Sequence, residues 1–180
     1  MAQALVDHGY QIVVVAPNGS SSSDGQGALA GDGISTATVP LARGIASPMT
    51  ELQSLIRYVD LLSEYNPDIL HTVRLKPAIL ASHAARLSSS TPAVINQITG
   101  LGHMYSSPTL RAQVARTVLN TGLLSAFRLF DRQRVIVQNR DDRDYIVGQG
   151  LIDENRVKVI LGSGVDTQLY HPNNRGNDSD

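Results

Sequence analysis

Apolar positions along the chain fall into short β-branched runs separated by longer stretches in which they recur every three or four residues. "QIVVVA" (11–16) reads as a buried strand that Pro17 ends, because an unbroken β-branched run suits a sheet covered on both faces. The preceding "MAQALVDHG" reads as the last turns of a helix, with Gly9 placed to cap it. "ISTATV" (34–39) is a second, weaker strand. Ser47 followed by Pro48 supplies an N-cap and a proline at the first helical position, and Leu52, Leu55, Ile56, Val59 and Leu62 form one apolar stripe, so a helix is predicted over about 48–65. The alternation continues with "DILHT" (68–72) as strand, 77–88 as helix, "AVINQI" (93–98) as strand, 109–130 as a long helix and "RVIVQ" (134–138) as strand. Asn139 then caps a helix whose first turn holds Asp141 and Asp142, where the helix dipole favours negative charge. "VKVI" (157–160) is the last strand. Residues 18–33, dominated by Ser, Gly and Asp, read as a flexible loop, and the polar tail after Pro172 reads as disordered.

Strands alternating with helices predict an α/β fold, a Rossmann-like doubly wound parallel sheet. Residues 1–172 form one domain in this reading, and 173–180 a polar tail. A doubly wound domain ordinarily opens with a central strand that carries its binding loop, whereas this chain opens in the end of a helix. The first strand is therefore expected to be missing, unless the helix at residue 1 begins a smaller sheet.

Composition narrows the function. The net charge of −1 over 180 residues gives no field that would gather nucleic acid. There is no cysteine, which rules out disulfides and thiolate metal sites and agrees with a cytoplasmic protein. No apolar run approaches the ~20 residues of a membrane-spanning helix, and the N-terminus lacks a signal-peptide pattern. A soluble protein, or one at a membrane surface, is expected.

Ligands in open parallel sheets bind beyond the carboxyl ends of the strands. The loops expected there are "VRLKP" after His71, "TGLGHMYSS" after 93–98, "QNRDDRD" after 133–137 and "LGSGVD" after 157–160. Gly100 and Gly102 would let backbone approach a ligand, although Gly-x-Gly is a weak signal that also describes an ordinary turn. A dinucleotide fingerprint needs a third glycine where Tyr105 and Thr167 stand, so a nicotinamide-dependent oxidoreductase rests on fold analogy alone. His71 and His103 are candidate catalytic residues able to donate a hydrogen bond or act as base, with a structural histidine as the alternative in each case. Lys76 is a candidate anion partner or a solvated surface charge. No spacing suggests a metal site. The helix 109–130 and its exit carry Arg111, Arg116, Arg128, Arg132 and Arg134 beside Val114, Val118, Leu123, Leu124, Phe127 and Phe130, a combination that suits peripheral contact with anionic lipid through 109–134 or a packed helix with a basic face.

Four segments in order, "DILHTVRLKPAILASHAARL", "INQITGLGHMYSS", "RVIVQNRDDRDYIVGQGL" and "VKVILGSGVDTQLYHP", resemble the N-terminal half of retaining glycosyltransferases of family 4, of the bacterial type that builds surface polysaccharide on a lipid carrier. The resemblance covers about 65–172 and, more loosely, 1–17. It implies the acceptor-side domain of a two-domain GT-B architecture, acting on a lipid-linked or saccharide acceptor with a nucleotide-sugar donor and no metal. The donor-binding C-terminal domain would then be absent from this chain, leaving it inactive alone, one subunit of a split enzyme, or a non-catalytic remnant or binding module. Carried over residue by residue, His71 and Lys76-Pro77 match the cleft-facing loop, Gly100, Leu101 and Gly102 the Gly-Leu-Gly loop, and Asn139, Asp141 and Asp142 the Asn-x-Asp-Asp helix start. Ser163, Gly164, Val165 and Asp166 match the segment before the crossing to the donor domain. His103 stands where the family more often has an aromatic residue.

Overall fold

The computed structural model describes residues 2–18, 33–41, 47–101 and 109–162, apart from the side chains of Gln3 and Arg111. In chain order the elements are α1 (Ala2–Asp7), β1 (Ile12–Pro17), β2 (Ile34–Val39), α2 (Pro48–Tyr65), β3 (Ile69–Val73), α3 (Leu75–Leu87), β4 (Ala93–Ile98), α4 (Leu110–Arg128), β5 (Gln133–Val137), α5 (Arg140–Gly148), a 3₁₀ turn (Glu154–Arg156) and β6 (Val157–Val159). Every strand pairing is parallel, as alternation with helices requires.

Local chemistry accounts for most boundaries. Gly9 adopts φ 85 behind α1, as a C-terminal cap does. Ser47 accepts a bond from the Thr50 amide and Pro48 occupies the first turn of α2, while Thr109 accepts from Ala112 N at the start of α4. α3 begins at Leu75, two residues earlier than expected: Pro77 sits inside the first turn, where an amide has no intrahelical acceptor and its loss is harmless.

The sheet is in two pieces. β1 pairs with β2, and β3, β4, β5 and β6 form a separate ladder in that order. The division falls where a doubly wound order would place its first strand. Two bonds, Ala93 N to Asp68 O and Arg74 N to Gln97 O (2.8 Å each), turn the even-numbered residues of β3 toward β4. The backbone N–H and C=O groups of Ile69, His71 and Val73 therefore point along the other edge.

Among the described residues, packing is one-sided on the four-stranded piece. Ile98, Val135 and Val137 are buried against Leu123, Ala126 and Phe127 of α4, Ile146 of α5 and Ala78 of α3. A second cluster joins Val39 of β2 to Tyr58 and Leu62 of α2 and to Ala81, Ala84 and Ala85 of α3, with Leu70 of β3 against it. The alanines let α3 lie close to its neighbours. Close approach also explains Gly122, where a Cβ would meet Ile79 Cδ1 at 3.0 Å.

The stripe expected on α2 is borne out in part, since Leu55, Val59 and Leu62 pack against the core. Leu52 and Ile56 are 49 % and 52 % exposed, while Ser54, Tyr58, Leu61 and Leu62 face inward. Burying Ser54 is tolerated because its Oγ hydrogen-bonds the carbonyls of Pro40 (2.7 Å) and Thr50 (2.9 Å), which anchors the helix to the end of β2 in that rotation. On α4 the apolar face divides: Leu123 and Phe127 are buried, whereas Val114 and Val118 are exposed. No helix among the described residues is long and apolar enough to cross a membrane.

Burial pushes the Tyr58 hydroxyl up to about 12, from the ordinary 10.0. The folded state holds this proton more tightly than the unfolded chain. Its contribution is complete below pH 10 and is lost as pH rises through about 12, a total of roughly 2–3 kcal/mol. Urea midpoints measured across this range should fall less steeply for Tyr58→Phe than for the parent protein.

Candidate functional site

The carboxyl ends of β3, β4, β5 and β6 lie along one edge of the ladder, so the segments that follow them are neighbours. At the β3 end the chain turns sharply at Arg74, whose φ of 81° and ψ of 165° lie in a region that is essentially glycine's own. The Arg74 amide is tied to Gln97 O across the ladder, and its carbonyl accepts from Ala78 N. That fixes the turn from both sides and keeps the exposed guanidinium at the mouth of the edge. No sequence rule flags this position, because arginine carries no preference for such a backbone. Arg74→Gly should relieve more strain than the added chain freedom costs, raising unfolding stability by about 1 kcal/mol in a urea titration.

His71 lies within β3, two residues before its end, and not at the strand terminus the sequence suggests. Its exposed ring meets Gln97 of β4, with Nε2 3.0 Å from Oε1. Since a carbonyl oxygen only accepts, Nε2 carries the proton, and a neutral ring then offers Nδ1 as an acceptor. The pairing brings in Gln97, which no motif in the sequence marks. Lys76, in the first turn of α3, is engaged with Glu51 of α2 at 2.7 Å, which makes it a clamp between two helices.

Of the Gly-Leu-Gly loop, Gly100 adopts φ 143°, and a Cβ there would meet nothing within 4 Å. The glycine is needed for the backbone turn alone. Leu101 is 7 % exposed and belongs to the main core, so its side chain anchors the loop from beneath. Gly102 and His103 lie outside the described residues, as do Ser163, Gly164, Val165 and Asp166. At the β5 end Asn139 caps α5, with Oδ1 accepting from Asp142 N (2.7 Å) and Nδ2 donating to Asp142 Oδ2 (2.9 Å). Asn139 and Asp142 therefore satisfy one another, and Asp141 stays exposed in the first turn. Among the described residues no group of three or more histidine or acidic side chains could hold a metal ion.

Beneath the pair His71–Gln97, on the opposite face, runs a buried polar chain. Thr72 Oγ1 donates to Asn96 Oδ1 at 2.6 Å. With the Gln133 amide oriented to satisfy both of its groups, Oε1 accepts from Asn96 Nδ2 at 2.7 Å and the amide nitrogen donates to the carbonyls of Ala126 and Phe127 at 3.2 Å. Three strands and the end of α4 are thus locked in register below the edge.

The family model of the glycosyl transferase 4-like domain matches residues 1–161. The chain belongs to that family. No curated protein matches it. For a glycosyl transferase 4-like domain the α/β architecture with parallel strands is the expected one, and the match includes the His71, Lys76, Gly100 and Asn139 segments in a single span. These segments follow strands that end at one edge of the ladder, where His71 pairs with Gln97 and Arg74 is bonded to β4, while Lys76 pairs with Glu51 and Leu101 lies in the main core.

Proposed function

We propose that this glycosyltransferase domain forms the acceptor side of a sugar-transfer site, moving a sugar from a nucleotide-sugar to a lipid-linked or saccharide acceptor in polysaccharide synthesis. The observation that carries the reading is the family match over 1–161, which runs through all the strand-following segments up to Leu161. Transfer with retention requires positioned cations and amides against the leaving diphosphate. In this reading the chain contributes one wall, with His71 and the Gly100–Gly102 loop facing the acceptor and Ser163, Gly164 and Asp166 toward the donor. A donor-binding half, from a separate chain or a longer form of this one, completes the site. No metal is required. The work is done in the cytoplasm or at the inner face of the membrane, and the exposed Leu110, Val114 and Val118 on α4 support peripheral contact with lipid. A non-catalytic binding module is the second reading, favoured by the engagement of Lys76 with Glu51.

The test supplies a nucleotide-sugar and a lipid-linked acceptor in anionic vesicles and follows nucleoside diphosphate release and acceptor mass. The chain alone should release none, a donor-binding domain of the same family added in trans should restore transfer, and Gly102→Val should abolish what is restored by blocking backbone approach. Transfer by the chain alone, or full activity of the Gly102→Val form, would remove the assignment. Acceptor binding without transfer in the complemented pair would establish the binding module.

A further inference from the structure

Strands in parallel sheets are ordinarily covered on both faces, and among the described residues the β3–β6 ladder is covered on one. Its register puts Ile69, His71 and Val73 of β3, Ile95 and Gln97 of β4, Arg134 and Ile136 of β5 and Lys158 of β6 on the face opposite α3, α4 and α5. Ile69 and Val73 are 50 % and 42 % exposed, and Ile160, just beyond β6, is 49 % exposed. A groove of about 380 Å³ crosses this face, with Ile95, Ile136 and Ile160 as its apolar lining and Arg134, Arg156 and Lys158 around it. Arg156 is partly engaged, with Nε 4.0 Å from Asp153. Arg134 reaches only its neighbour's carbonyl, at 2.8 Å, and neither it nor Lys158 forms an ion pair among the described residues. No carboxylate projects from this face of the four strands.

We propose that this face is a docking surface for an acidic amphipathic α-helix of a partner polypeptide. A helix about 10 Å across covers two strand spacings of roughly 4.8 Å, which matches a groove running over β4, β5 and β6. Its apolar stripe would seat on Ile95, Ile136 and Ile160, and glutamates or aspartates on its flanks would meet Arg134 and Lys158. Charge complementarity selects this occupant over the others. A second copy using the same face would bring like charges together. An anionic bilayer is flat and cannot follow a groove sunk between Ile95, Ile136 and Ile160, whereas a helix can lie along it.

The test uses the 180-residue chain and a synthetic helical peptide of about 18 residues, ~27 Å long, with leucines at i, i+3, i+4 and i+7 and glutamates flanking them; a control peptide carries lysines in place of the glutamates. Titration calorimetry should show the glutamate peptide binding about ten-fold tighter, with the difference shrinking as salt is raised. Amide resonances of Ile95, Ile136 and Lys158 should move on binding. The double variant Arg134→Glu, Lys158→Glu changes two exposed side chains, should keep the parent's circular dichroism spectrum and should reverse the preference. Equal binding of both peptides by the parent chain, or shifts confined to α4, would overturn the proposal. So would anionic phospholipid vesicles shifting these resonances where the glutamate peptide does not, or a dimer that protects this face and excludes the peptide. No sugar donor or acceptor enters the assay, so its outcome is separate from that of transfer.

Discussion

Phe127→Ala should cost about 3–5 kcal/mol of unfolding free energy, the range for removing a fully buried phenylalanine. Phe127 is 1 % exposed, and its cluster holds Val135 and Val137 of β5, Ile146 of α5 and Ile98 of β4. Helix, sheet and the following helix all lose contacts at once, and the interior cannot collapse into the space without moving α4 off the ladder. A domain of this size has only about 5–15 kcal/mol in total. The urea midpoint should therefore fall steeply, with the slope of the transition unchanged if the native state stays compact. A loss below about 1 kcal/mol would mean that α4 is not clamped to the sheet as described.

Asn96→Leu should be nearly as damaging for a different reason. Asn96 is 0 % exposed and joins Thr72 on one side to Gln133 on the other. Leucine fits the volume but leaves the hydroxyls of Thr72 and Ser82 and the Gln133 amide oxygen buried without that partner, at about 1–3 kcal/mol each. Changing all four, with Thr72→Val, Ser82→Ala, Asn96→Leu and Gln133→Leu, removes the polar groups together and should recover much of the loss. A double-mutant cycle between Thr72 and Asn96 reads the coupling directly. Additive single effects would show that the chain of bonds does not act as a unit.

Regular elements were legible wherever one local rule acted alone. "ISTATV" and "AVINQI" are strands over 34–39 and 93–98 as read, because β-branched residues bounded by turns leave little else. Ser47 and Asn139 announced α2 and α5 through capping chemistry that needs only the next three residues. What failed depended on partners distant in sequence. The facing of α2 keeps Leu55, Val59 and Leu62 of the stripe against the core but turns Leu52 and Ile56 outward, as Ser54 reaches Pro40, fourteen residues away. Asn96 and Gln133 look like the polar side of half-exposed strands until the ladder places them together under α3 and α4. Of the candidate site, the segments and their shared edge were readable from strand order. The use of Lys76 as a clamp, the burial of Leu101 and the pairing of His71 with Gln97 were not, since each needs a contact across elements.

The outward row of β3 sets how this protein behaves when concentrated. Ile69, His71 and Val73 offer backbone donors and acceptors that no strand among the described residues pairs, beside two half-exposed aliphatic side chains, with no proline or lysine on the strand to discourage a second strand from joining. Such a row nucleates growth: each newcomer that pairs presents a fresh row of its own. Losses of this kind rise with the meeting rate of molecules, so dilution should preserve a preparation and crowded overexpression should drive it toward insoluble deposits.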